Sequence, residues 1–510
     1  MSLKNDILLE LFNLVAETDS PYALPWADPG PLRYHLGWIR LTHVCRLWRT
    51  LLIDDMPSLW ARVICHLPPH THDTVLARAQ NQPLSLTVSL DATFGDQSFY
   101  SPLNQRPPPK HPLRDCLRDF CLTNITRARS IDARSCRWNW IPDFRDLQLP
   151  HLTHIELYQA QPIGDATPVA YLLPLDAPKL VSVKLQHIAA TFTSTSIRSL
   201  TLHGNAIFCA REWSLLHVLE SLKQLSFLEL EMRPPQAVDW RTRVTSLIEL
   251  ACLKHVHLYG SANANIAVLF ELLEMPSLLE EHLYCVHFEP EGWEHFVGAL
   301  GPVLHPPAFN ALYIVDNKTE IVASTFVAVE KPELYPDNGA IQEVTLEVEH
   351  GEATEVAEAI TAAMLAHVHR QRIEQIVFGP VISDEKVDDA RKALRGFHAV
   401  TSFAALSFDT LKVLRASEDG PIFPRLSLLT VSDGRRWDVE SLGAWWNLLC
   451  AVLEDRIHAG VPISRIRLAS YASPIPPTDA LREIEDEGLA RVKQLVNEVE
   501  DTRTVFESTY

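Results

Sequence analysis

The chain has 510 residues, 45 of them basic and 64 acidic, for a net charge of −19 at neutral pH. An acidic surface repels phosphate, which argues against nucleic acid and anionic membranes as partners. With 47% apolar and 21% charged residues, the chain can build a large core and is not a mainly disordered one.

Residues 6–16 place Ile7, Leu8, Leu11, Phe12 and Val15 at helical spacing, with Asn5 or Asp6 able to cap the start. Glu10 and Asn13 interrupt the apolar run, so a secretory signal is not expected here. No stretch approaches the roughly 18 apolar residues of a membrane-spanning helix. Residues 17–35 hold Pro21, Pro25, Pro29, Gly30 and Pro31 and read as a loop. Helical periodicity resumes at Leu36 and continues through Val44, Leu47, Trp48, Leu51 and Leu52, before a turn at Met56–Trp60. Three short helices of this size cannot bury Leu8, Leu11, Phe12, Val44, Trp48 and Trp60 by themselves. These side chains need either the rest of the chain or a partner.

Three stretches carry a resemblance. They are Asp6–Phe12, Gly37–Arg49 with its Val44-Cys45-Arg46-x-Trp48 core, and Pro57-Ser58-Leu59-Trp60. Together, over residues 3–64, they resemble an F-box, in the form with a long insert between its first and second helices that is common in fungal proteins. Leu3 stands where F-boxes usually open with Leu-Pro, but Lys4 replaces the Pro. The resemblance implies docking on a Skp-type adaptor and, through it, a cullin scaffold. It assigns that contact to Leu3, Ile7, Leu8, Leu11, Phe12, Val44, Cys45, Arg46, Trp48, Leu51 and Trp60.

The rest of the chain is patterned by its 71 leucines. A unit of the form apolar-x-x-apolar-x-apolar recurs from residue 152. Its central and last anchors are Ile155 and Leu157, Val183 and Leu185, Leu200 and Leu202, Leu228 and Leu230, Val256 and Leu258, then Glu281 and Leu283. It continues with Leu312 and Ile314, Val344 and Leu346, Ile376 and Phe378, Leu406 and Phe408, Leu429 and Val431, and Ile466 and Leu468. Central anchors lie 17 to 37 residues apart, which approximates a leucine-rich repeat with one strand per unit. Helical character at 215–222, 268–273, 356–368, 384–394 and 441–457 fits helices between the strands. Strand-like alternation at 83–90 and 128–134 fits early repeats, and prolines at 102, 107, 108, 109 and 112 mark a spacer.

The expected fold is therefore α/β: a small all-α module over 1–64, a connecting region over 65–150, and a degenerate leucine-rich-repeat solenoid over 151–473. Its parallel strands line a concave face with helices outside, and a helix over 478–500 caps the end after Pro474, Pro476 and Pro477.

Chemistry is sparse. GxSxG, Walker A, GxGxxG and HExxH are absent, and 18 glycines leave few phosphate-cradling loops. Cys65, His66, His70 and His72 lack a regular ligand spacing, and the histidines read as solvated loop residues, not a metal site. The nine cysteines are scattered without a CxxC pair, as buried thiols of a reducing compartment are. No enzyme, cofactor or metal is expected, and a cytoplasmic or nuclear location is.

On each strand the residues alternating with the anchors point away from the core. They include His154, Glu156 and Tyr158, then Phe227, Glu229 and Glu231, then His255, His257 and Tyr259, followed by Glu280, His282, Tyr284 and Tyr313. Phe227, Glu229, His255, His257, Tyr259, His282, Tyr284 and Tyr313 form the expected binding patch for a recruited protein, because aromatics bury much area with few rotors. The resulting expectation is a substrate-recognition subunit of a cullin–RING ubiquitin ligase. The alternative is a repeat scaffold or sensor whose F-box no longer joins a ligase.

Overall fold

The computed structural model describes residues 3–23, 33–88, 112–133, 144, 146–158, 172–204, 215–231, 247–259, 263–278, 280–285, 293–304, 310–318, 322–329, 343–349, 365–379, 384–417, 420–433, 438–470 and 478–502. The proline spacer expected over 101–112, apart from Pro112, which opens a helix, most of the expected helix at 356–368 and the prolines at 474–477 lie outside them. The chain divides into two units. The first is Met1–Glu231 with Ile248–Leu253, and the second is Met232–Leu247 with Lys254–Tyr510.

The first unit opens with α1 (Leu3–Thr18), then a ribbon of β1 (Tyr22–Ala23) and β2 (Tyr34–His35), and a 3-10 turn over Gly37–His43. α2 (Arg46–Thr50), α3 (Pro57–Val63) and α4 (His72–Ala79) complete the helical module. Local chemistry sets these boundaries. The Cys45 thiol caps α2 by accepting from the Trp48 backbone N–H at 3.5 Å. Pro57 opens α3, where its missing N–H costs nothing. Gly37 has φ +51°, and a Cβ there would stand 2.3 Å from the Asp19 carbonyl oxygen, so only glycine fits. Trp38 and Trp60 meet edge to face at 5.0 Å, and the Trp60 indole N–H donates to the Leu52 carbonyl at 2.8 Å.

The module packs on the strands that follow it. β3 (Leu84–Thr87) touches α3 and also α5 (Pro112–Asn124). The sequence reading has no helix at α5. Its buried Leu117 and Cys121, four residues apart, form the inward side. β4 (Ala128–Ala133) and β5 (His154–Tyr158) continue from β3 in parallel. Next to them run β7 (Ser182–Gln186), β9 (Ser199–His203) and β10 (Phe227–Glu231), also parallel. A separate parallel pair is β6 (Leu172–Leu175) with β8 (Ala189–Phe192). α6 (Leu215–Ser221) and the two-residue β11 (Ile248–Glu249) complete the unit.

The strands run in a register that stacks like on like. Leu86, Ile131, Ile155, Val183, Leu200 and Leu228 form one column, and Ala133, Leu157, Leu185, Leu202 and Leu230 a second. Every member is buried. Because side chains alternate along a strand, burying these columns turns every other residue to the opposite face.

The second unit holds β12 (His255–Tyr259), α7 (Asn263–Leu272), β13 (Leu273–Glu274), β14 (Glu280–Cys285) and α8 (Trp293–Leu304). β15 (Ala311–Lys318), β16 (Val322–Val329) and β17 (Glu343–Glu349) come next. The spatial order is β12, β14, β17, β16, β15, so β17, and not β15, lies beside β14. β16 is antiparallel to both neighbours. The unbroken parallel array expected from the repeat pattern therefore does not hold here. Three residues separate β15 from β16, too few for a parallel crossover, so the chain must turn back.

Parallel pairing resumes from β15 through β18 (Gln375–Phe378), β19 (Ser402–Ala405), β20 (Leu428–Asp433) and β21 (Arg465–Ser470). One register differs from the sequence reading. β19 pairs Phe403 with Ile376 and Ala405 with Phe378, so its anchors are Phe403 and Ala405. Leu406 lies past the strand, and Phe408 starts a helix, α10 (Phe408–Lys412), which follows α9 (Val387–Leu394). The small Ala405 masks the pattern. Placed correctly, Ile376, Phe403 and Leu429 stand 27 and 26 residues apart.

Two helices close the unit. α11 (Val439–His458) is capped by the Asp438 carboxylate, which accepts from Ser441 N–H at 2.7 Å. α12 (Asp479–Leu495) packs on it at Gly488, where a Cβ would stand 2.2 Å from the Trp446 indole. The helix expected to reach residue 500 stops at Leu495. β22 (Glu498–Asp501) follows as an edge strand parallel to β21, with Val499 beside Ile466. Arg465 pairs with Glu498 at 2.8 Å and Arg467 with Glu500 at 2.9 Å. A short charged edge resists pairing with other chains. No described helix is long and apolar enough to cross a membrane.

Leu200→Ala should destabilise the first unit by about 2–5 kcal/mol, because it opens a cavity in a buried column. Ser199→Ala, on the opposite face, should stay within about 0.5 kcal/mol in the same urea titration. Gly488→Ala should destabilise the second unit by about 1–3 kcal/mol through overpacking on Trp446, despite alanine's better helix propensity.

Candidate functional site

α1 has two apolar faces. Phe12 and Ala16 are buried, four residues apart. Ile7, Leu11 and Leu14 lie on the opposite side and are exposed, Ile7 at 61%. At 100° per residue these three form one stripe along the helix. An ordinary surface helix carries charge there.

The exposed apolar residues continue beyond α1. Among the described residues ten large hydrophobics are exposed, and seven of them fall between residues 7 and 47. Besides the α1 stripe these are Tyr22, Leu36, Val44 and Leu47, with Val44 at 59%. Apolar exposure this concentrated in a short segment makes it a candidate interaction surface.

The residues assigned to docking by resemblance separate into two groups. Ile7, Leu11, Val44, Cys45 and Arg46 are exposed, and Leu8 and Trp48 are half-buried. Leu3 opens α1. Phe12, Leu51 and Trp60 are buried, so they support the face from behind and do not present on it. The Phe12 ring meets Trp48 edge to face at 5.2 Å, which joins α1 to α2. Leu14, Tyr22, Leu36 and Leu47 are exposed apolar residues the resemblance did not assign; the helical spacing from Ile7 and Leu11 marks Leu14.

A polar clamp sets the end of α1. The His35 Nε2 lies 2.6 Å from Asp19 Oδ1, and Arg40 donates to Asp19 Oδ2 at 2.9 Å. The Trp38 N–H donates to the Asp19 carbonyl at 2.8 Å. The hydrogen bonds from His35 and Arg40 hold the Asp19 carboxyl below its usual pKa.

The strand faces supply a second candidate surface, considered unit by unit. In the first unit, register aligns Glu156, Lys184, Thr201 and Glu229 across four strands, and Tyr158, Gln186, His203 and Glu231 beside them. Lys184 pairs with Glu156 at 3.3 Å. His203 sits between Glu229 at 3.0 Å and Glu231 at 3.7 Å. Burial pushes the Glu229 carboxyl up, but His203, Thr201 and Lys184 outweigh it and hold its pKa down. Phe227 and Glu229 are half-buried on this face. Lys184, Thr201 and His203 were missing from the expected patch. The same alternation rule, applied to the units at Val183 and Leu200, finds them.

In the second unit, His255, His257 and Tyr259 are half-buried on β12. Register places them beside Glu280, His282 and Tyr284 of β14. The His257 and Tyr259 rings meet at 6.2 Å. Tyr313 does not join them as expected: β17 and β16 intervene between its strand and β14.

Among the described residues no group of three or more His, Cys, Asp or Glu could hold a metal ion. The histidines near Cys65 are not all solvated. His72 is buried, its Nε2 lies 3.3 Å from the Leu67 carbonyl oxygen, and its ring packs on Phe120 at 4.4 Å. Comparisons of the chain with protein-family models, with curated proteins and with solved structures found no match.

The lowered Asp19 pKa gives a sign. Its pairs stabilise the module above the unfolded carboxyl pKa near 3.9, and that contribution disappears as pH falls through the lower folded value. Tryptophan fluorescence followed from pH 7 downward should therefore stay level until about pH 4 and then change. Asp19→Asn should begin from a less stable module and lose part of that acid-induced change.

Proposed function

We propose that this chain is a substrate-recognition subunit of a cullin–RING ubiquitin ligase. The F-box-like module docks on a Skp-type adaptor, and the leucine-rich-repeat-like strands present a target protein. The observation that carries the reading is the second, unburied apolar face of α1 together with Val44 and Leu47. Laying an apolar helical face into a partner's groove is a common recognition mode. The family resemblance of Val44-Cys45-Arg46-x-Trp48 and Ser58-Leu59-Trp60 names the partner.

In this reading the chain makes and breaks no bond. It acts by proximity, raising the concentration of a bound target near the ligase's transferring subunit. The half-buried His, Tyr and acidic side chains of the strand faces favour a polar or basic segment of the target, because the surface they offer is acidic and hydrogen-bonding.

Co-purification with a Skp-type adaptor tests the docking. Ile7→Asp with Leu11→Asp should weaken binding at least tenfold, since central apolar contacts are each worth about 2 kcal/mol or more. Both side chains are exposed, so thermal stability should hardly move. A folded wild-type chain that does not bind would favour a repeat scaffold or sensor outside a ligase.

A further inference from the structure

A cavity of about 340 Å³ opens in the first unit where α3 meets the N-terminal ends of the parallel strands. α3 contributes Ser58 and Arg62. β4 contributes Arg129, the turn before β5 contributes His151 and Thr153, and the turn before β7 contributes Lys179. No acidic residue lines it. Arg62, Arg129, His151 and Lys179 are all exposed to solvent in the cavity region.

The charge arrangement is unusual for this chain. Acids outnumber bases by 19 overall, and several described surface cations, among them Lys184, Lys392, Arg465 and Arg467, pair with a carboxylate. Among the described residues Arg62, Arg129 and Lys179 have no ion-pair partner. Three permanent cations from three separate elements therefore converge on one concavity and repel one another. A multiply charged oxyanion removes that repulsion. Guanidinium forks match tetrahedral oxyanions, lysine adds a point charge, and the Ser58 hydroxyl can donate. The volume falls in the range of small-molecule sites and exceeds what a lone ion fills. The acidic surroundings exclude a long polyanion such as nucleic acid but admit a compact one.

We propose that this cavity binds a phosphate ester, held by Arg62, Arg129 and Lys179. The ligand bridges the helical module and the strands, so its binding also tightens their junction. The site is separate from the exposed face of α1 and does not rest on the ligase reading.

The test is calorimetric titration of the full chain at low salt with two probes. One is glycerol 3-phosphate, standing for a phosphorylated small molecule. The other is a short glycine-flanked phosphoserine peptide, standing for a phosphorylated protein side chain. At least one should bind saturably with one site per chain, and the tighter probe identifies the source. Arg129→Gln with Lys179→Gln should weaken it at least tenfold, and Arg62→Gln alone should weaken it as well. Lys223→Gln, outside the cavity, should leave it unchanged. Raising salt should weaken binding, as it screens charge. The proposal is overturned if neither probe binds, if the double variant binds as wild type does, or if a single-stranded oligonucleotide binds as tightly as either probe.

Discussion

The in-register apolar columns are the constraint on which the rest of the structure depends. A strand with one greasy side cannot stand alone, and here each finds its partners by placing Ile155 on Val183, Val183 on Leu200 and Leu200 on Leu228. Two consequences follow. The opposite face must carry whatever alternates with the anchors, which makes it polar and aromatic. The first and last strands must also be managed. β22 is managed by charge, and β3 by contact with α3 and α5.

That second contact explains why the helical module has a spare face. Its tryptophan core, Trp38 on Trp60, is buried, and α3, which carries Trp60, meets β3. Phe12 and Ala16 complete the packing from α1. Ile7, Leu11 and Leu14 are left on the far side. Burying one such side chain is worth about 1.5–3 kcal/mol, so several together supply a strong drive toward a partner. Thus the module is anchored to the strands while its apolar α1 stripe stays exposed.

Much of this was legible in the residues. The anchors from Ile155 to Leu258 declare both register and buried face, because large aliphatic side chains recur at one spacing. The pattern failed where that signal weakens. Ala405 is too small to announce an anchor, and the larger Leu406 and Phe408 nearby drew the register three residues away. β16 carries an ordinary alternating run, but its antiparallel direction comes from the three-residue connection before it, a property of chain geometry. Val499 read as helix because valines at 492, 496 and 499 fit a helical period, whereas hydrogen bonding to β21 decides for strand. In the candidate site, periodicity finds α1 but does not tell its packed face from its open one, since both are apolar. Only the fold separates Phe12 from Leu11.

The most direct test of the account is hydrogen exchange on the chain with and without a Skp-type adaptor. The account predicts slowed exchange on adding adaptor in α1 and in residues 43–50, with the strands from β4 to β10 unchanged. Exchange unaltered in α1, or protection confined to the strands, would contradict it.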